Sequence, residues 1–380
     1  MAVEDPSTIP SLQLAYVGSR TSRHREGKGT GIEVFRVTGD DEVWTRIQTI
    51  RLPNPSYLLP SSSSHRLYSV HGDATTIRVL NIDPVDGTLS VHREVDSGGE
   101  NPVHIAISPD QRFLVVANHN SGTVASLPIT PDGDLRDPVS VLELVGELGP
   151  HRRDQTGSKP HQIVFDPAGR YLLVPDKGMD SIFVLELDHD GNLTMDPGRT
   201  VRIREMSGPR HVVFHPSGTS AYSIDEFRST VTRYDWDTSR GRLAVRQVVS
   251  SLPEEMTGES RGGEIAISPS GDRLYVSNRG GPGDASPGGL FPDTIGTFTL
   301  NESHRLTRPR WTETLGIRPR FFCFDPTGTK LLVAHERAHT IAVHDISPQS
   351  GDPGAGRILT TTGSPVSIVR HQLRPAPTPG

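Results

Sequence analysis

Short apolar runs alternate with clusters of Gly, Pro, Asp and Ser along almost the whole chain. RFLVVAN, RYLLVPD and RLYVSN represent one kind of run, and TIRVLNI, SIFVLEL and TIAVHDI represent another. Runs rich in Val, Ile, Leu, Tyr and Phe between such turn residues are typical of β-strands. No long stretch has the 3.6-residue apolar period of an amphipathic helix. The pattern therefore predicts an all-β protein.

The strands recur as a unit of about fifty residues. Each unit opens on a short phrase: NPSYL at Asn54, NPVHI at Asn101, KPHQI at Lys159, GPRHV at Gly208, RGGEI at Arg261, RPRFF at Arg318 and SPVSI at Ser364. Six phrases have proline in second place, and the fifth has Gly262 there. A tight turn and further strand-like runs follow most phrases. Four strands per repeat is the blade of a β-propeller.

The seventh repeat is divided between the two ends of the chain. Only its first strand, SPVSIVR, lies near the C-terminus, whereas LQLAYVGS, GIEVFRV and VWTRIQTI lie near the N-terminus. A blade built from both ends closes the ring and removes its open sheet edges. The sequence thus predicts a seven-bladed β-propeller with four antiparallel strands per blade. Its single domain spans residues 11–370, with residues 1–10 and 371–380 as tails.

Blade geometry predicts which polar residues meet. Because the strands are antiparallel, the start of each first strand and the end of each second strand lie at the same mouth of the central channel. First-strand starts contribute Asn101, His104, Lys159, His161, Arg210, His211, Glu264, Arg318 and Arg320. Second-strand ends contribute His71, Asn118, His119, Asp176, Lys177, Asp225, Glu226, Asn278, Arg279, His335 and Glu336.

Such a mouth suits either an enzyme acting on a small molecule or a platform for binding a protein. Clustered arginines grip carboxylate or phosphate groups, and neighbouring His and Glu side chains transfer protons. His211 follows Arg210 on an alternating strand, so we expect it to point away from the channel and to pack.

Composition excludes several classes of protein. The net charge of -6 and the absence of a basic stripe argue against nucleic-acid binding. The single cysteine, Cys323, cannot form an internal disulfide, and its FFCFD setting predicts a buried strand residue. No apolar stretch approaches the roughly 20 residues of a membrane span, and MAVEDPSTIP lacks the features of a signal peptide. We therefore expect a cytoplasmic protein.

One metal-site motif is discounted. The residues from His335 to His339 match H-E-x-x-H, but zinc proteases need this motif on a helix, and here it falls between two predicted strands. No other histidine spacing supports a metal site. We predict no metal and no cofactor.

Several of these segments together resemble the seven-bladed lactonase family, which contains bacterial 6-phosphogluconolactonases and the fungal 3-carboxy-cis,cis-muconate lactonizing enzyme. The likeness runs from Tyr16 to the SPVSIV stretch and rests on YVGS with GIEVFRV, VANHNSGTV, KPHQIVFDPAGRYLLVPDKGMDSI, GPRHVVFHPSGTSAYSIDEFRSTVT and GGEIAISPSGDRLYVSNRG. The resemblance implies a catalytic group of His161, Arg210, Glu226 and Arg279. We also expect His104, Glu264 and Arg320 to contact the substrate.

The resemblance implies lactone chemistry on a small anionic substrate. The reaction is either hydrolysis of a sugar lactone of the 6-phosphogluconolactone type or closure of a carboxymuconate-like diacid. In hydrolysis, His161 or Glu226 would activate water while Arg210 and Arg279 hold the anion; in closure, the arginines would hold the carboxylates while His161 or Glu226 protonates carbon. A non-catalytic propeller that binds a ligand or protein, and a family member that acts on another small cyclic acid, remain as alternatives.

The sequence departs from the family pattern at several places. Lys159 stands where many members have His, and Asp225 where Asn is usual. Blade six reads VAHERAHT in place of the more frequent VAN followed by a small polar turn. A basic loop, SRTSRHREGKGTG, and an insertion, GPGDASPGGLFP at residues 281–292, are expected to lie over the mouth. These departures bear on the identity of the substrate more than on the chemistry.

Overall fold

The apolar runs form seven antiparallel sheets arranged as blades around a channel. The computed structural model describes residues 12–39, 42–281, 289 and 291–373. In six blades the strands follow chain order from the channel outward, and in the remaining blade the C-terminal strand lies innermost and is followed by the three N-terminal strands. The predicted all-β, seven-bladed propeller with a shared closing blade is therefore confirmed.

The strand bounds follow the repeat. The seventh blade takes β1 (Leu12–Ser19), β2 (Gly31–Thr38) and β3 (Val43–Arg51) from the N-terminal region. Blade one contains β4 (Pro55–Pro60), β5 (Arg66–His71), β6 (Thr76–Ile82) and β7 (Leu89–Asp96), and blade two contains β8 (Pro102–Ile107), β9 (Phe113–Asn118), β10 (Thr123–Pro128) and β11 (Ser140–Glu143). Blade three contains β12 (Val164–Phe165), β13 (Tyr171–Asp176), β14 (Ser181–Leu187), β15 (Leu193–Met195) and β16 (Val201–Arg202).

The second half of the ring is equally regular. Blade four contains β17 (Pro209–Phe214), β18 (Ser220–Asp225), β19 (Thr230–Asp237) and β20 (Arg242–Ser250), and blade five contains β21 (Ser260–Ile267), β22 (Arg273–Gly280), β23 (Thr294–Leu300) and β24 (Leu306–Glu313). Blade six contains β25 (Pro319–Phe324), β26 (Lys330–His335), β27 (Thr340–Asp345) and β28 (Arg357–Thr361), and β29 (Pro365–Leu373) completes blade seven.

The closing blade joins the two ends of the described chain. Strand β1 pairs with β29 along its length, and Leu12 lies opposite Leu373. The last strand thus continues beyond the expected domain end at residue 370, because the register carries the pairing onward. Residues 1–11 and 374–380, which include most of the predicted tails, lie outside the described residues.

Helical structure in the described ranges is limited to two 3-10 turns, Arg23–Arg25 and Pro197–Arg199. No helix in those ranges has the length and apolar character needed to cross a membrane.

An apolar cluster fills each gap between neighbouring blades. Between blades seven and one, Tyr16 and Ile32 pack with Leu67 and Leu80, and six comparable clusters occupy the other gaps. Burying a large apolar side chain contributes about 1.5–3 kcal/mol. Because every blade is fixed on both faces, the loops at the channel mouth are held in register with one another.

Tyrosine hydroxyls also connect successive blades. In four blades a buried tyrosine of the second strand donates a hydrogen bond to a backbone carbonyl in an outer turn of the next blade. The pairs are Tyr16 with Gly87 at 3.0 Å, Tyr68 with Gly133 at 2.9 Å, Tyr222 with His304 at 2.8 Å and Tyr275 with Gly351 at 2.6 Å. These bonds satisfy the buried phenol groups, as a close-packed interior requires.

Candidate active site

A β-bulge at the start of the innermost strand gives the channel two layers of side chains. In blade four, Pro209 pairs with Asp225 but His211 pairs with Ile224, so Arg210 is an extra residue in the strand. The same register shift occurs in blades one, two, five and six. Two residues of a bulged strand face one residue of the partner. Consecutive residues of the repeated phrase can therefore both face the channel.

The two layers correspond to the third and fourth positions of the phrase. The mouth cavity, of about 140 Å³, is lined at third positions by Ser56, Val103, His161, Arg210, Arg320 and Val366. A second cavity, of about 210 Å³, is lined at fourth positions by Tyr57, His104, Gln162, His211, Glu264 and Phe321. Several fourth-position residues line both cavities, so the layers adjoin.

The structure brings most of the predicted site residues to the mouth cavity. It is lined by His161, Arg210, Glu226, Glu264 and Arg320. Two other predicted residues lie elsewhere: Arg279 has no exposed surface and lies against Glu226, and His104 lines only the second cavity.

Glu226 is the centre of a cluster of four cations. Its Oε2 lies 2.8 Å from Lys177 Nζ and 3.6 Å from Arg210 Nε. Its Oε1 lies 3.4 Å from Arg279 Nη2 and 3.8 Å from Arg261 Nη1. All five side chains are largely buried. One carboxylate is thus shared by four cations, one of which, Arg261, also pairs with Asp154.

Backbone carbonyls of blade five fix two of these cations. Arg210 Nη1 donates to the Gly263 oxygen at 2.6 Å, and Arg279 Nη2 donates to the Gly262 oxygen at 2.6 Å. A Cβ atom at Gly262 would lie 2.6 Å from Ile224 Cγ1, and one at Gly263 would lie 2.3 Å from Ser277 Oγ, so both would clash. The RGGEI phrase therefore has glycines where the other phrases have proline and a side chain, because Ile224 and Ser277 leave no room for further side-chain atoms there.

Phe227 supports the outer side of this cluster. Its ring lies 5.0 Å from the Arg261 guanidinium and 5.4 Å from Lys177 Nζ, within the range of cation–π attraction. Arg261 also pairs with Asp154 at 2.9 Å. These contacts hold Arg261 and Lys177 toward Glu226.

A second group of cations lies at blades six and seven, around Glu336. Arg20 Nε lies 2.9 Å from Glu336 Oε1, and Arg318 and Arg320 each lie 3.9 Å from Oε2. Arg20 belongs to the basic loop after β1, and Arg25 of the same loop pairs with Asp73 at 2.6 Å. Because Arg20 and Arg25 line the mouth cavity, the expected position of this loop over the mouth is confirmed. Most of the insertion at residues 281–292 lies outside the described residues.

A chain of three side chains crosses from the mouth layer to the second layer. His161 Nδ1 lies 3.2 Å from His211 Nε2, and His211 Nδ1 lies 2.5 Å from Glu264 Oε1. All three residues are buried. The expectation that His211 points away from the channel is wrong, because the bulge at Arg210 interrupts the alternation on which it was based.

Burial and positive charge determine the ionisation of this chain. Burial, together with Arg210 and His211, holds the pKa of His161 well below its usual value. Burial and Arg210 lower the pKa of His211 to about 4, although Glu264 acts in the opposite direction. Burial alone would raise the pKa of Glu264, but His211 and Arg210 hold it below the usual value. At neutral pH both imidazoles are therefore neutral and Glu264 is a carboxylate.

The pKa of Arg210 is also perturbed. Burial, with Arg279 and Arg320 nearby, lowers its pKa to about 9. The guanidinium is still protonated at neutral pH, but its charge is poorly compensated. An anion that enters the mouth cavity would relieve this repulsion.

His104 packs against the rings of Tyr57 and His211. Its ring lies 4.2 Å from that of Tyr57 and 5.9 Å from that of His211, and its Nδ1 accepts the Ile163 backbone N–H at 3.4 Å. Its position in the second cavity favours support of His211 over contact with a ligand at the mouth.

Sequence reasoning missed three residues of the site. Tyr57 occupies the same place in NPSYL as His104 does in NPVHI, so comparison of the phrases would have found it. Arg261 opens the RGGEI phrase, and its position beside Glu226 has no separate sequence signal. Phe227 directly follows Glu226 and supports the cations from outside the cavity.

The structure places the H-E-x-x-H motif between two strands, as predicted. The residues from His335 to His339 form the end of β26 and the following turn, so the H-E-x-x-H pattern is not helical. Among the residues that the structure describes, no three His, Cys, Asp or Glu side chains are grouped in a way that could hold a metal. Cys323 lies in β25 as a strand residue, but it is half-buried rather than buried because it lines the second cavity, and desolvation raises the pKa of its thiol to about 12.

Comparison with known proteins agrees with this architecture. The family described as "Lactonase, 7-bladed beta-propeller" matches residues 14–370. A 6-phosphogluconolactonase of Bacillus subtilis is 29% identical over 363 residues, which cover 93% of this chain and 95% of the relative. A 6-phosphogluconolactonase of Formosa agariphila is 30% identical over 349 residues, with 88% and 93% covered.

Solved structures give the same result. A putative 6-phosphogluconolactonase from Bacteroides fragilis superposes with a TM-score of 0.83 at 28% identity, covering 97% of this chain and 100% of the other. A periplasmic gluconolactonase from Pseudomonas aeruginosa superposes with a TM-score of 0.84 at 28% identity, covering 95% and 99%. With its closed ring of seven blades and a family match over nearly its whole length, this chain belongs to the seven-bladed β-propeller lactonase family.

Proposed function

We propose that this chain hydrolyses the lactone of a phosphorylated sugar acid, of the 6-phosphogluconolactone class, at the mouth cavity. The observation that carries the proposal is the concentration of positive charge there. Four cations share Glu226 and three share Glu336, in a protein whose net charge is -6. Clustered, buried cations of this kind favour an anionic ligand. The names of the relatives support a sugar lactone as that ligand.

The two cation groups suit the two ends of such a substrate. Arg210 and Lys177 line the cavity beside Glu226, where they would polarise the lactone carbonyl and stabilise the oxyanion that forms when water adds. Arg20 and Arg320 line it near Glu336, where they would bind the phosphate. The buried Arg279 would hold Glu226 in place and act on the substrate through it.

His161 is better suited than Glu226 to activate water. The carboxylate of Glu226 is engaged by four cations, which makes it a poor proton acceptor. None of the described residues hydrogen-bonds to His161 Nε2, while Nδ1 contacts His211. In the proposed reaction, His161 takes a proton from the attacking water and returns it to the ring oxygen as the C–O bond breaks. No covalent enzyme intermediate is needed.

A substrate panel tests this function. Purified protein would be assayed with 6-phosphogluconolactone, gluconolactone and carboxymuconates, with spontaneous hydrolysis subtracted and the products identified by NMR. We expect turnover of the phosphorylated lactone to its open acid, at a higher kcat/KM than for gluconolactone. Turnover of carboxymuconates alone would instead establish the ring-closing reaction, and no turnover of any compound would contradict an enzymatic role.

The compartment stays a prediction. We propose a cytoplasmic location, although a gluconolactonase of similar structure is periplasmic in Pseudomonas aeruginosa.

A further inference from the structure

We infer that Glu264 and His211 form a proton relay that fixes the tautomer of His161 and accepts its Nδ1 proton when His161 acts as a general base. This inference rests on the proposed function and goes beyond it by assigning proton-transfer roles to two further residues that line the mouth cavity. It is carried by the geometry of three side chains from three successive blades.

The first contact fixes the tautomer of His211. Glu264 Oε1 lies 2.5 Å from His211 Nδ1, close enough for a hydrogen bond to the carboxylate. Because Glu264 is a carboxylate and can only accept, its short contact places the proton of His211 on Nδ1, and the longer 3.4 Å contact of that nitrogen with the donor Arg210 Nη1 is then not a hydrogen bond. His211 Nε2 is then an acceptor in the neutral ring.

The second contact fixes the tautomer of His161. Its Nδ1 lies 3.2 Å from His211 Nε2, and since that nitrogen accepts, His161 Nδ1 must donate. His161 Nε2 is then left without a proton, and none of the described residues bonds to it. The relay thus presents an unprotonated nitrogen of a residue that lines the mouth cavity.

The proton balance of the relay is complete. When His161 Nε2 takes a proton from water, its Nδ1 proton passes to His211 Nε2, which makes His211 an imidazolium beside the Glu264 carboxylate. The positive charge is thereby moved from the cation-rich mouth to a layer that contains an anion. Protonation of the leaving ring oxygen by His161 reverses both transfers.

Other charged groups oppose a positive charge on His161 itself. Arg210, Lys177 and His119 face it, and Arg210, Arg320 and His104 face His211. On the side of Glu264, Tyr57 and Cys323 face the carboxylate. The carboxylate of Glu264 bonds directly to His211, so removing its charge should make His211, and through it His161, less basic.

The experiment compares the wild type with Glu264→Gln, His211→Asn and the double variant. With 6-phosphogluconolactone we expect kcat to fall at least about tenfold in each single variant, since acid–base catalysis contributes about 10²–10⁴, with KM nearly unchanged. The double variant should be no slower than His211→Asn, because both changes interrupt one path. In Glu264→Gln the acidic limb of the pH–kcat/KM profile should move to lower pH, because the imidazolium loses its carboxylate.

Matched controls come from the same fold. His215→Asn changes a residue in the turn between the first and second strands of the blade that carries His211, and Glu94→Gln removes an outer-strand carboxylate that pairs with Arg78 at 2.6 Å. Both should keep the wild-type kcat and pH profile. Melting temperatures of all variants separate a loss of folding from a loss of catalysis.

A readout independent of turnover keeps the relay separate from the proposed function. Nitrogen-15 NMR of histidine-labelled protein should show His161 and His211 as neutral rings protonated on Nδ1 at pH 7. If the wild type turns over no lactone but has these tautomers, the function fails while the arrangement stands. A proton on His161 Nε2, or a Glu264→Gln protein with wild-type kcat and pH profile, would overturn the relay.

Discussion

Removing the charge of Glu226 should destabilise the fold and at the same time increase its response to anions. In Glu226→Gln the four cations Lys177, Arg210, Arg261 and Arg279 lose the carboxylate that they share at 2.8–3.8 Å. Loss of one partner of a buried ion pair costs about 3–5 kcal/mol. For 380 residues the unfolding entropy is about 0.8 kcal/mol per degree, so the melting temperature should fall by roughly 4–6 °C.

Inorganic phosphate should offset part of this loss. A ligand at one hundred times its dissociation constant stabilises the folded state by about 2.7 kcal/mol. Phosphate should bind the variant more tightly than the wild type, because Glu226 no longer competes for the cations. The assay is a thermal melt at increasing phosphate concentration and constant ionic strength.

The control for this experiment is Glu186→Gln, which removes an exposed carboxylate paired with Arg199 on blade three. Such a surface pair contributes only about 0–1 kcal/mol, so its melting temperature and phosphate response should match the wild type. A Glu226→Gln protein that melts with the wild type, or whose phosphate shift is no larger, would refute the shared-charge interpretation of the cluster.

Three further predictions follow from the described residues. Arg320→Gln should raise KM for 6-phosphogluconolactone about tenfold, as the loss of a charge-assisted hydrogen bond implies, and leave kcat/KM for gluconolactone unchanged; equal effects on both would place the phosphate elsewhere. Cys323, whose thiol pKa desolvation raises to about 12, should react with iodoacetamide at pH 8 far more slowly in native than in urea-unfolded protein, and equal rates would contradict that raised pKa. Burial lowers the pKa of His71, His211 and His335 from 6.5 to about 4, so below pH 6.5 the unfolded chain takes up protons that the folded chain does not. The unfolding free energy should therefore fall by about 2 kcal/mol per residue between pH 7 and pH 5, and equal urea midpoints at the two pH values would contradict this.

The repeat was sufficient to predict the architecture because blade geometry is set by local features. Turn residues, strand-like runs and the divided seventh unit identify seven blades and their closure without knowledge of any contact. The same geometry brought Glu226 and His161 to one mouth, since strand order alone decides at which end of a blade a residue lies. These parts of the structure follow from the positions of residues along the chain, which can be read directly from the sequence.

The orientation of individual side chains could not be predicted in the same way. Perfect alternation places Arg210 and His211 on opposite faces, whereas the bulge lets both face the channel. The burial of Arg279 depends on the Gly262 carbonyl approaching from its own blade. The contact between Arg261 and Glu226 joins neighbouring blades, so it cannot be predicted from the pattern of a single strand.

The most direct test of the account is kcat/KM for 6-phosphogluconolactone in Arg210→Gln beside Arg246→Gln. Arg210 lies at the mouth with a buried guanidinium, whereas Arg246 is an exposed blade residue that pairs with Asp235. Because removing one group that stabilises an oxyanion costs about 10²–10³ in rate, Arg210→Gln should lose at least about one hundredfold while Arg246→Gln keeps wild-type activity. Equal activity of the two variants would contradict catalysis at the mouth cavity.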